Sequence, residues 1–535
     1  MKNPGERTMI VLLLISVVYF CTFIFPNNLG AKNVDMLAVF EIDEYAQYPA
    51  VESMLSGGNS LKQTVRNFLV YGHYFYGYPF YFISGVVLLP MRIVLGADWR
   101  IHTQLNMLLL RQLVNVLPNL LSAMLLTFYV TRLQPLWKST LVFCILLITP
   151  ALVNNGFWWH PDGIGLLMVV LVLVCLQLDD LNFGRFFMMA AISAGIAAGI
   201  KYLGLFFFLS IPAYLLVGVY RKSITWREAI FKGLLFVGVM LLTLIATNPL
   251  LLLQERSELV STQIRQFSRT SMGELIGKQP FLEDGRLPSW LNAQYGWWPF
   301  MLLGLAGLVI GLKQRASRIS AMLVALFIFP LAAVILRGAL QRPHYWLPVF
   351  LPLSASIAFI LPDNFPRRIK IARDGLTLLI LIGIILQVIV FMDANLKRWV
   401  QMLQREQQSP SLSFYQVVKE QVVEPMTEDQ PLRIYHDWGV YFPSDEAVDA
   451  FMDWDLASYD LINDTNPDLL LLEQENVRLY SQEDFLEKSA DAIRLAPMHN
   501  FYADALQDQI RGYQQIYKDE FGLVFKRNDI FQTEK

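Results

Sequence analysis

The hydrophobic pattern divides the chain at about residue 392. Before that point, apolar runs of roughly 18–25 residues recur, and each is long enough to cross a hydrocarbon core of about 30 Å. The chain beyond it is polar. Twelve candidate runs lie at 9–25, 78–95, 107–131, 138–155, 163–178, 184–200, 203–220, 230–252, 297–312, 318–336, 344–361 and 375–392. The pattern predicts a polytopic α-helical membrane protein over 1–392 and a soluble appendage over 393–535.

The distribution of basic residues decides how many of these runs cross the membrane. Cytoplasmic loops carry an excess of lysine and arginine. If the run at 78–95 does not cross, every loop on the side of the N-terminus is basic, with Lys2, Arg7, Arg132, Lys138, Arg185, Arg221, Lys222, Arg227, Lys232, Lys313, Arg315, Arg318, Arg367, Arg368, Lys370 and Arg373. If it crosses, the later basic loops lie on the side of the membrane opposite the basic N-terminus, against the rule.

We therefore predict about 11 spans, an inner-membrane location and a cytoplasmic N-terminus. The run at 78–95 would lie along the outer interface as a juxtamembrane helix, which its aromatic start and inner prolines suit. The first outer loop would cover 26–106 and the second 253–296. The tail over 393–535 would also lie on the outer, periplasmic face.

The tail reads as a small α/β domain. "PLRIYHDWGVYFP" and "NPDLLLLEQ" have the composition of short buried strands, and "EDFLEKSADAIRL" has helical spacing. No catalytic constellation stands out there, and His436 and Asp437 are expected to be structural or rim residues. Our hypothesis is that the tail presents or selects a substrate.

Composition supports a membrane protein and excludes several functions. Of the 535 residues, 16% are charged, against about 25% in soluble chains. The net charge of −2 gives no sign of a nucleic-acid partner. The three cysteines lie in apolar runs, so neither a disulfide framework nor a cysteine metal site is expected. There is no phosphate-binding loop, dinucleotide fingerprint or hydrolase elbow. A lipid-linked activated group is the expected donor for a reaction at such a surface.

The first outer segment carries a cluster of carboxylates in "VFEIDEYAQYP", with Glu41, Asp43 and Glu44 close to the bilayer. Acids at a helix N-terminus or in a solvated loop would explain them without any function. A carboxylate held among apolar and aromatic residues also has the raised pKa that suits a general base. Both readings stay open from the residues alone.

Polar groups of later segments are predicted to lie on the same face. In "NNGFWWHPDG", the tryptophans suit an interface belt, and His160 and Asp162 suit hydrogen bonding to a headgroup or sugar, because two ligands do not make a zinc site. In "ISAGIAAGIKYLG", Gly195 and Gly199 predict a close helix contact. Lys201 would meet a lipid phosphate or act as a snorkelling anchor.

Several cations lie on this face against the positive-inside trend. "LRGALQRPHYWLP" contributes Arg337, Arg342 and His344, and Arg111 and Arg256 lie on the same side. Arginine binds phosphate in a bidentate fashion, so the cluster suits a phosphate leaving group opposite a base. A plain interfacial loop is the alternative.

Three stretches together resemble the GT-C superfamily of membrane glycosyltransferases, in the branch of the protein O-mannosyltransferases and the lipid A aminoarabinose transferases. They are "IDEYAQYPAVESMLSGG" in the first outer loop, "HPDG" at 160–163 and "GIAAGIKYLGLFFF" at the end of a glycine-rich span. The resemblance covers about 1–392 and also fits a horizontal helix at 78–95.

The resemblance implies an inverting transfer of a sugar from a polyprenyl-phosphate donor to a hydroxyl of a protein, lipid or polysaccharide acceptor. Asp43 would be the general base with Glu44 beside it, although Glu41 is an alternative. The donor phosphate would be bound by Lys201, Arg342, Arg337, His344 and Arg256. Substrate contacts would come from His160, Asp162, Tyr202, Arg111 and Tyr345. Some members use a divalent metal, and no ligand set in this sequence demands one.

Two other classes remain. A transporter or flippase for a lipid-linked sugar would use the same phosphate-binding cations without a base. A membrane scaffold would act through its outer domain and leave these charges incidental. The sequence leaves the sugar and the acceptor open.

Overall fold

The fold was analysed in a computed structural model. It describes residues 4–253, 257–258, 260–262, 286–337, 342–363, 371–426, 431–454, 456–488 and 492–528.

The membrane part is helical throughout. Its α-helices are Pro4–Asn27, Val34–Phe40, Ile42–Leu55, Leu61–Leu69, Tyr78–Leu95, Thr103–Leu110, Leu117–Thr131, Leu136–Leu147, Pro150–Asn155, Asp162–Asp179, Arg185–Lys201, Ser210–Tyr220, Trp226–Ala246, Arg286–Tyr295, Trp298–Lys313, Arg318–Arg337, Leu347–Ala355 and Ile371–Gln404. Short 3-10 or π segments continue several of them, at Gly96–Ile101, Arg111–Val116, Leu203–Phe208, Pro249–Leu252, Pro343–Trp346 and Ser356–Phe359.

The number of membrane-length helices matches the predicted eleven only roughly. Within the described ranges, 8 helices are long and apolar enough to cross a bilayer, or 9 if the pair bent by 67° at Gly296 is one span. The predicted run at 138–155 is divided where Pro150 starts a new helix, because the residue before a proline is disfavoured in the α region. The run at 344–361 is likewise divided into short helices rich in proline.

The helix Tyr78–Leu95 is itself long and apolar enough to span, yet its two ends are held by the chain just after two other membrane-length helices. At its start, the Tyr78 backbone N–H donates to Asn248, just after the helix Trp226–Ala246, at 3.1 Å. Soon after its far end, the Gln104 amide donates to the carbonyl of Asn28, just past the first helix, at 2.7 Å. This geometry supports a helix lying along the membrane surface.

Close glycine contacts draw the helix ends of this layer together. A Cβ at Gly195 would lie 2.5 Å from the carbonyl oxygen of Met240, and one at Gly199 would lie 2.6 Å from the Asn248 amide nitrogen. A Cβ at Gly77 would overlap the carbonyl of Gly199. The predicted small-residue contact of Gly195 and Gly199 is therefore confirmed, and it brings the tip of the helix ending at Lys201 against the first outer loop.

The tail folds as a mixed sheet with helices. Its strands are β1 (Leu432–His436), β2 (Val448–Phe451), β3 (Leu469–Glu473), β4 (Tyr513–Lys518) and β5 (Gly522–Arg527). Their order is β2-β1-β3-β5-β4, parallel across β2, β1 and β3 and antiparallel at β5 and β4. The helices are Pro410–Val418, Tyr459–Thr465, Gln474–Tyr480, Phe485–Lys488 and Ala492–Leu506. The two predicted strands are β1 and β3, and the leucines of β3 are buried, as in a central strand.

The tail lies against the first outer segment. The last membrane helix runs to Gln404, beyond the predicted domain boundary at 393. Glu406 then accepts a hydrogen bond from the Gly30 backbone N–H at 2.6 Å and pairs with Lys32 at 2.6 Å. Asn33 donates to the hydroxyl of Tyr441 at 2.8 Å.

If the helix Tyr78–Leu95 lies along the membrane surface, a labelling pattern follows. In a variant without the three native cysteines, cysteines replacing Ser60 and Asp98, which flank this helix and are exposed, should react with an impermeant maleimide from one side of the membrane. A cysteine replacing Lys222, at the far end of the helix Ser210–Tyr220, should react from the other side only. Opposite sidedness of positions 60 and 98 would mean that the helix crosses.

Candidate functional site

A buried ion pair anchors the site. Arg111 and Glu44 are both fully buried, and the guanidinium donates through Nε and Nη2 to the two carboxylate oxygens at 2.8 and 2.5 Å. Its Nη1 donates to the carbonyls of Asn27 and Leu29 at 2.8 and 2.9 Å. One arginine therefore joins the end of the first helix to the start of the helix Ile42–Leu55.

Glu44 also holds the "HPDG" turn. The backbone N–H of Trp159 donates to its Oε1 at 2.6 Å. The Trp159 indole donates to the hydroxyl of Ser84 at 3.0 Å and stacks on Phe80, with ring centroids 5.0 Å apart. The turn that carries His160 and Asp162 is thereby placed beside both the acidic segment and the surface helix.

Asp162 is the centre of a second network. Its carboxylate accepts from Lys201 Nζ at 2.8 Å, hydrogen-bonds His160 Nδ1, and lies 3.8 Å from His344 Nε2. The other nitrogen of His160 contacts the hydroxyl of Tyr76 at 2.7 Å. Burial lowers the pKa of His160, and Asp162 opposes that shift only in part. The histidine is thus favoured as a neutral ring.

Asp43 lies in the first turn of the helix Ile42–Leu55 and is half-buried. Its charge acts on His73, Tyr76 and His160, which places it beside the Asp162 network. Burial lowers the pKa of His73 to about 4 although Asp43 opposes this. Within the ranges that the structure describes, no hydrogen bond or ion pair engages the Asp43 carboxylate, in contrast to Glu44. Its carboxylate is therefore open to a ligand.

A cavity of about 760 Å³ opens beside the network. Its walls include Glu41, Trp158, Arg342, His344, Lys397 and Arg398. Trp158 stacks on His160, with ring centroids 4.2 Å apart and an interplanar angle of 7°, so the cavity and the Asp162 network share a wall. Burial, and next the charge of Glu44, raises the pKa of Glu41 to about 7. The volume and the charges suit a phosphorylated polar ligand.

The structure brings some of the predicted site residues together and places others elsewhere. Lys201, His160, Asp162, His344 and Tyr345 come together, with Lys201 Nζ 4.8 Å from the centroid of the Tyr345 ring. Arg342 lines the adjoining cavity. The expected roles of Glu44 in catalysis and of Arg111 in substrate binding are not supported, because each is committed to the other in a buried pair.

Three further predicted residues lie elsewhere. Tyr202 follows Lys201 with a φ of 60° and is 42% exposed. Arg337 is exposed at the end of its helix and does not line the cavity. Arg256 lies outside the described residues.

Sequence reasoning missed Lys397 and Arg398. Both lie near the end of the helix Ile371–Gln404 and line the cavity. Two adjacent cations at the outer end of a long apolar run, against the positive-inside trend, were the signal that would have revealed them. Tyr76 and His73 were also missed, because a segment as rich in tyrosine as "YGHYFYGYPFYF" gives no hint of which ring faces Asp43.

His160, Asp162 and His344 offer three candidate metal ligands, with ligand atoms within 4.8 Å of one another. The donor set does not fit a resident divalent ion as it stands. Both nitrogens of His160 are engaged, and the Lys201 ammonium already holds the Asp162 carboxylate. A metal would have to displace that cation, so no chemical step is derived through one.

No protein-family model matches the chain, and no curated protein matches it by sequence. In structure, it is similar to ArnT from Cupriavidus metallidurans bound to undecaprenyl phosphate, with a TM-score of 0.53, 13% identity and 97% of each chain covered. The apo state of that ArnT gives 0.49 at 12% identity, covering 98% of each chain. The Archaeoglobus fulgidus oligosaccharyltransferase in the apo form gives 0.45 at 13% identity, covering 91% of this chain and 72% of that one.

The first of these likenesses extends over both the membrane helices and the C-terminal domain. The chain shares the fold of this ArnT, with membrane-length helices followed by a small sheet domain, so the predicted GT-C-like fold class is confirmed. At 13% identity, the likeness to ArnT establishes the architecture.

The buried ion pair predicts a large loss of stability from single replacements. Arg111→Met and Glu44→Gln should each lower the free energy of unfolding by about 3–5 kcal/mol, because an uncompensated buried group is left behind. The double variant Glu44→Leu, Arg111→Met should lose less than the sum. Denaturant unfolding in micelles measures both.

The matched control for this experiment is the exposed pair of Asp393 and Lys397, with 61% and 75% of their side chains exposed. Asp393→Asn should change the free energy of unfolding by less than about 1 kcal/mol. Equal effects of Arg111→Met and Asp393→Asn would contradict the anchoring role of the buried pair.

Proposed function

We propose that the chain is an inverting glycosyltransferase of the plasma membrane, with a cytoplasmic N-terminus. It transfers a sugar from a polyprenyl-phosphate donor to an acceptor hydroxyl at the outer face. One observation carries the proposal: a carboxylate without a described partner, Asp43, lies beside a network and a cavity to which separate segments contribute Lys201, His344 and Arg342. The GT-C fold and the undecaprenyl phosphate bound by the similar ArnT support the donor class.

The cations suit the leaving group. As the bond between the anomeric carbon and the phosphate oxygen breaks, its electron pair stays on the polyprenyl phosphate. Lys201 has three N–H donors, of which the described contacts with Asp162 use one. It and Arg342 would neutralise the developing charge in a site shielded from water, where such donors are most effective. Asp162 and the Tyr345 ring would hold the ammonium in position.

Asp43 would act as the general base. It takes the proton of the acceptor hydroxyl while that oxygen forms a bond to the anomeric carbon from the side opposite the phosphate. A single displacement of this kind inverts the configuration at that carbon. The half-buried position of Asp43 next to aromatic rings limits competing hydration, and Glu44 and Arg111 fix the helix that carries it.

Glu41 is the alternative base. It lines the cavity, and its raised pKa of about 7 suits proton transfer near neutral pH. Asp43 is preferred because it lies beside the His160 and Tyr76 network, whereas Glu41 is flanked by Arg398 and Arg405, which suits a structural charge. A transporter of a lipid-linked sugar would use the same cations and need neither base.

The base assignment predicts a selective loss of turnover. Asp43→Asn should lower kcat by about 10²–10⁴-fold while donor binding remains. Glu41→Gln should cost less than about tenfold and should remove any inflection of the pH–rate profile near pH 7. The measurement is sugar transfer from a radiolabelled donor by purified protein. The reverse ranking of the two variants would assign the base to Glu41, and transport unaffected by both would favour a flippase.

The donor assignment predicts a co-purifying lipid. Native mass spectrometry of protein released gently from its own membranes should show a bound mass equal to a polyprenyl phosphate plus one sugar. The double variant Lys201→Ala, Arg342→Ala should lack it, because both proposed phosphate contacts are gone. Lys62→Ala, at an exposed position, is the control. Only ordinary phospholipid on all three proteins would contradict the donor class.

A further inference from the structure

The C-terminal sheet has a topological switch point that the proposed reaction does not use. Strand β1 has parallel neighbours on both sides, β2 and β3. From β1 the chain passes to β2 on one side. It then crosses to β3 on the other side of β1, from which the sheet continues through β5 to β4. In open sheets, ligands bind in the crevice outside the carboxyl ends of such a strand pair. Here those ends carry Asp437, Trp438 and Glu473.

Two carboxyl groups lie at these strand ends and differ in their hydrogen bonding. Asp437 is fully buried and accepts hydrogen bonds from the Tyr502 hydroxyl at 2.5 Å and the Glu473 backbone N–H at 2.9 Å. The half-buried Glu473 lies against Gly439, where a Cβ would come within 2.9 Å of Oε2. Burial raises the pKa of Glu473 to about 7. In the described part of the chain, no group hydrogen-bonds its carboxyl, which suits it to bind hydroxyls of a ligand.

Aromatic rings continue from the crevice to the membrane part. The Trp438 indole is fixed by donating to the carbonyl of Asp453 at 2.8 Å. Its ring lies 5.9 Å from that of Trp454, which is 50% exposed and lies 5.8 Å from the ring of Tyr45. Tyr45 belongs to the helix Ile42–Leu55, about one helical turn after Glu41 in the cavity wall. The aromatic strip therefore runs from the sheet to the catalytic segment.

The chemistry of this strip matches one class of ligand. A pyranose ring has an apolar face of C–H groups and a rim of hydroxyls. The negative face of an indole attracts the C–H groups, and a carboxyl group both accepts and donates hydrogen bonds at the rim. The exposed half of Trp454 and the Glu473 carboxyl, which no described group hydrogen-bonds, are thus both open to such a ligand.

We propose that Tyr45, Trp438, Trp454 and Glu473 form a binding site for the saccharide part of the acceptor. Its role as an acceptor site rests on the proposed function, whereas the binding of saccharide does not. The acceptor is then a glycan or a glycan-bearing molecule, held by the C-terminal domain while its reacting hydroxyl reaches the membrane part. The tail thereby gains the substrate-selecting role that the sequence suggested only as a hypothesis.

The test measures saccharide binding directly, on the full chain in lipid nanodiscs, because detergents with sugar headgroups would compete. The probes are maltose, cellobiose, mannobiose and N,N′-diacetylchitobiose, observed by saturation-transfer difference NMR. At least one should bind saturably at or below about 10 mM. Trp454→Ala and Glu473→Gln should each weaken that binding by about fivefold to tenfold, the range expected for one stacked ring or one hydrogen bond.

Trp226→Ala is the matched control, because Trp226 is 63% exposed and starts a membrane helix. It should leave saccharide binding within twofold. Failure of all four disaccharides to bind the natural chain, or equal binding by the natural chain and both variants, would overturn the proposal. Native mass spectra of the same samples show separately whether the lipid-linked donor is retained. A negative result at the acceptor site is therefore distinguishable from a failure of the glycosyltransferase assignment.

Discussion

The buried pair of Arg111 and Glu44 is the interaction on which the rest of the site depends. A charge removed from water is tolerated only when its hydrogen-bonding capacity is met. Here the guanidinium satisfies a carboxylate and two carbonyls, and the carboxylate also accepts the backbone N–H of Trp159. Four chain segments, the end of the first helix, the acidic segment, the helical segment at Arg111–Val116 and the "HPDG" turn, are thereby fixed to one point. Asp43 precedes Glu44 on the same helix, so the contacts that fix Glu44 also fix the position of Asp43.

The charged residues of the site fall into two groups, those that are paired with one another and those that are not. Glu44 pairs with Arg111, and Asp162 pairs with Lys201 and contacts His160 and His344, so both acids serve to hold other groups. Asp43 has no described hydrogen bond or ion pair, and Arg342 and Arg398 line the cavity. This division matches a transfer reaction, in which a base and a receptor for the leaving phosphate must be separated yet simultaneously in place. Under the proposed function, a lipid phosphate would offer these cations a partner, which accounts for their position against the predicted positive-inside trend.

The C-terminal domain is coupled to the same point through the first outer segment. Glu406 binds the loop that follows the first helix, and Tyr441 receives a hydrogen bond from Asn33. The Trp454 ring meets Tyr45 on the helix that carries Asp43. A domain attached by one helix and these contacts is well placed to position a substrate over the membrane site. The coverage of 97% of the chain by an ArnT structure shows that the two parts belong to one architecture.

Hydrophobic run lengths were sufficient to predict a polytopic membrane protein with a polar tail, because the bilayer imposes that pattern on any chain. The surface position of the helix at 78–95, inferred from the asymmetry of lysine and arginine, stays a prediction. The motif resemblance added the GT-C fold. The helix count was less accurate, since Pro150 and Pro348 lie at the starts of short helices within runs whose composition alone looks continuous. Which of Asp43 and Glu44 stays available, and which arginine is structural, depended on tertiary structure. Adjacent acids look alike in sequence, and only the approach of Arg111 from another helix decides which of them is engaged.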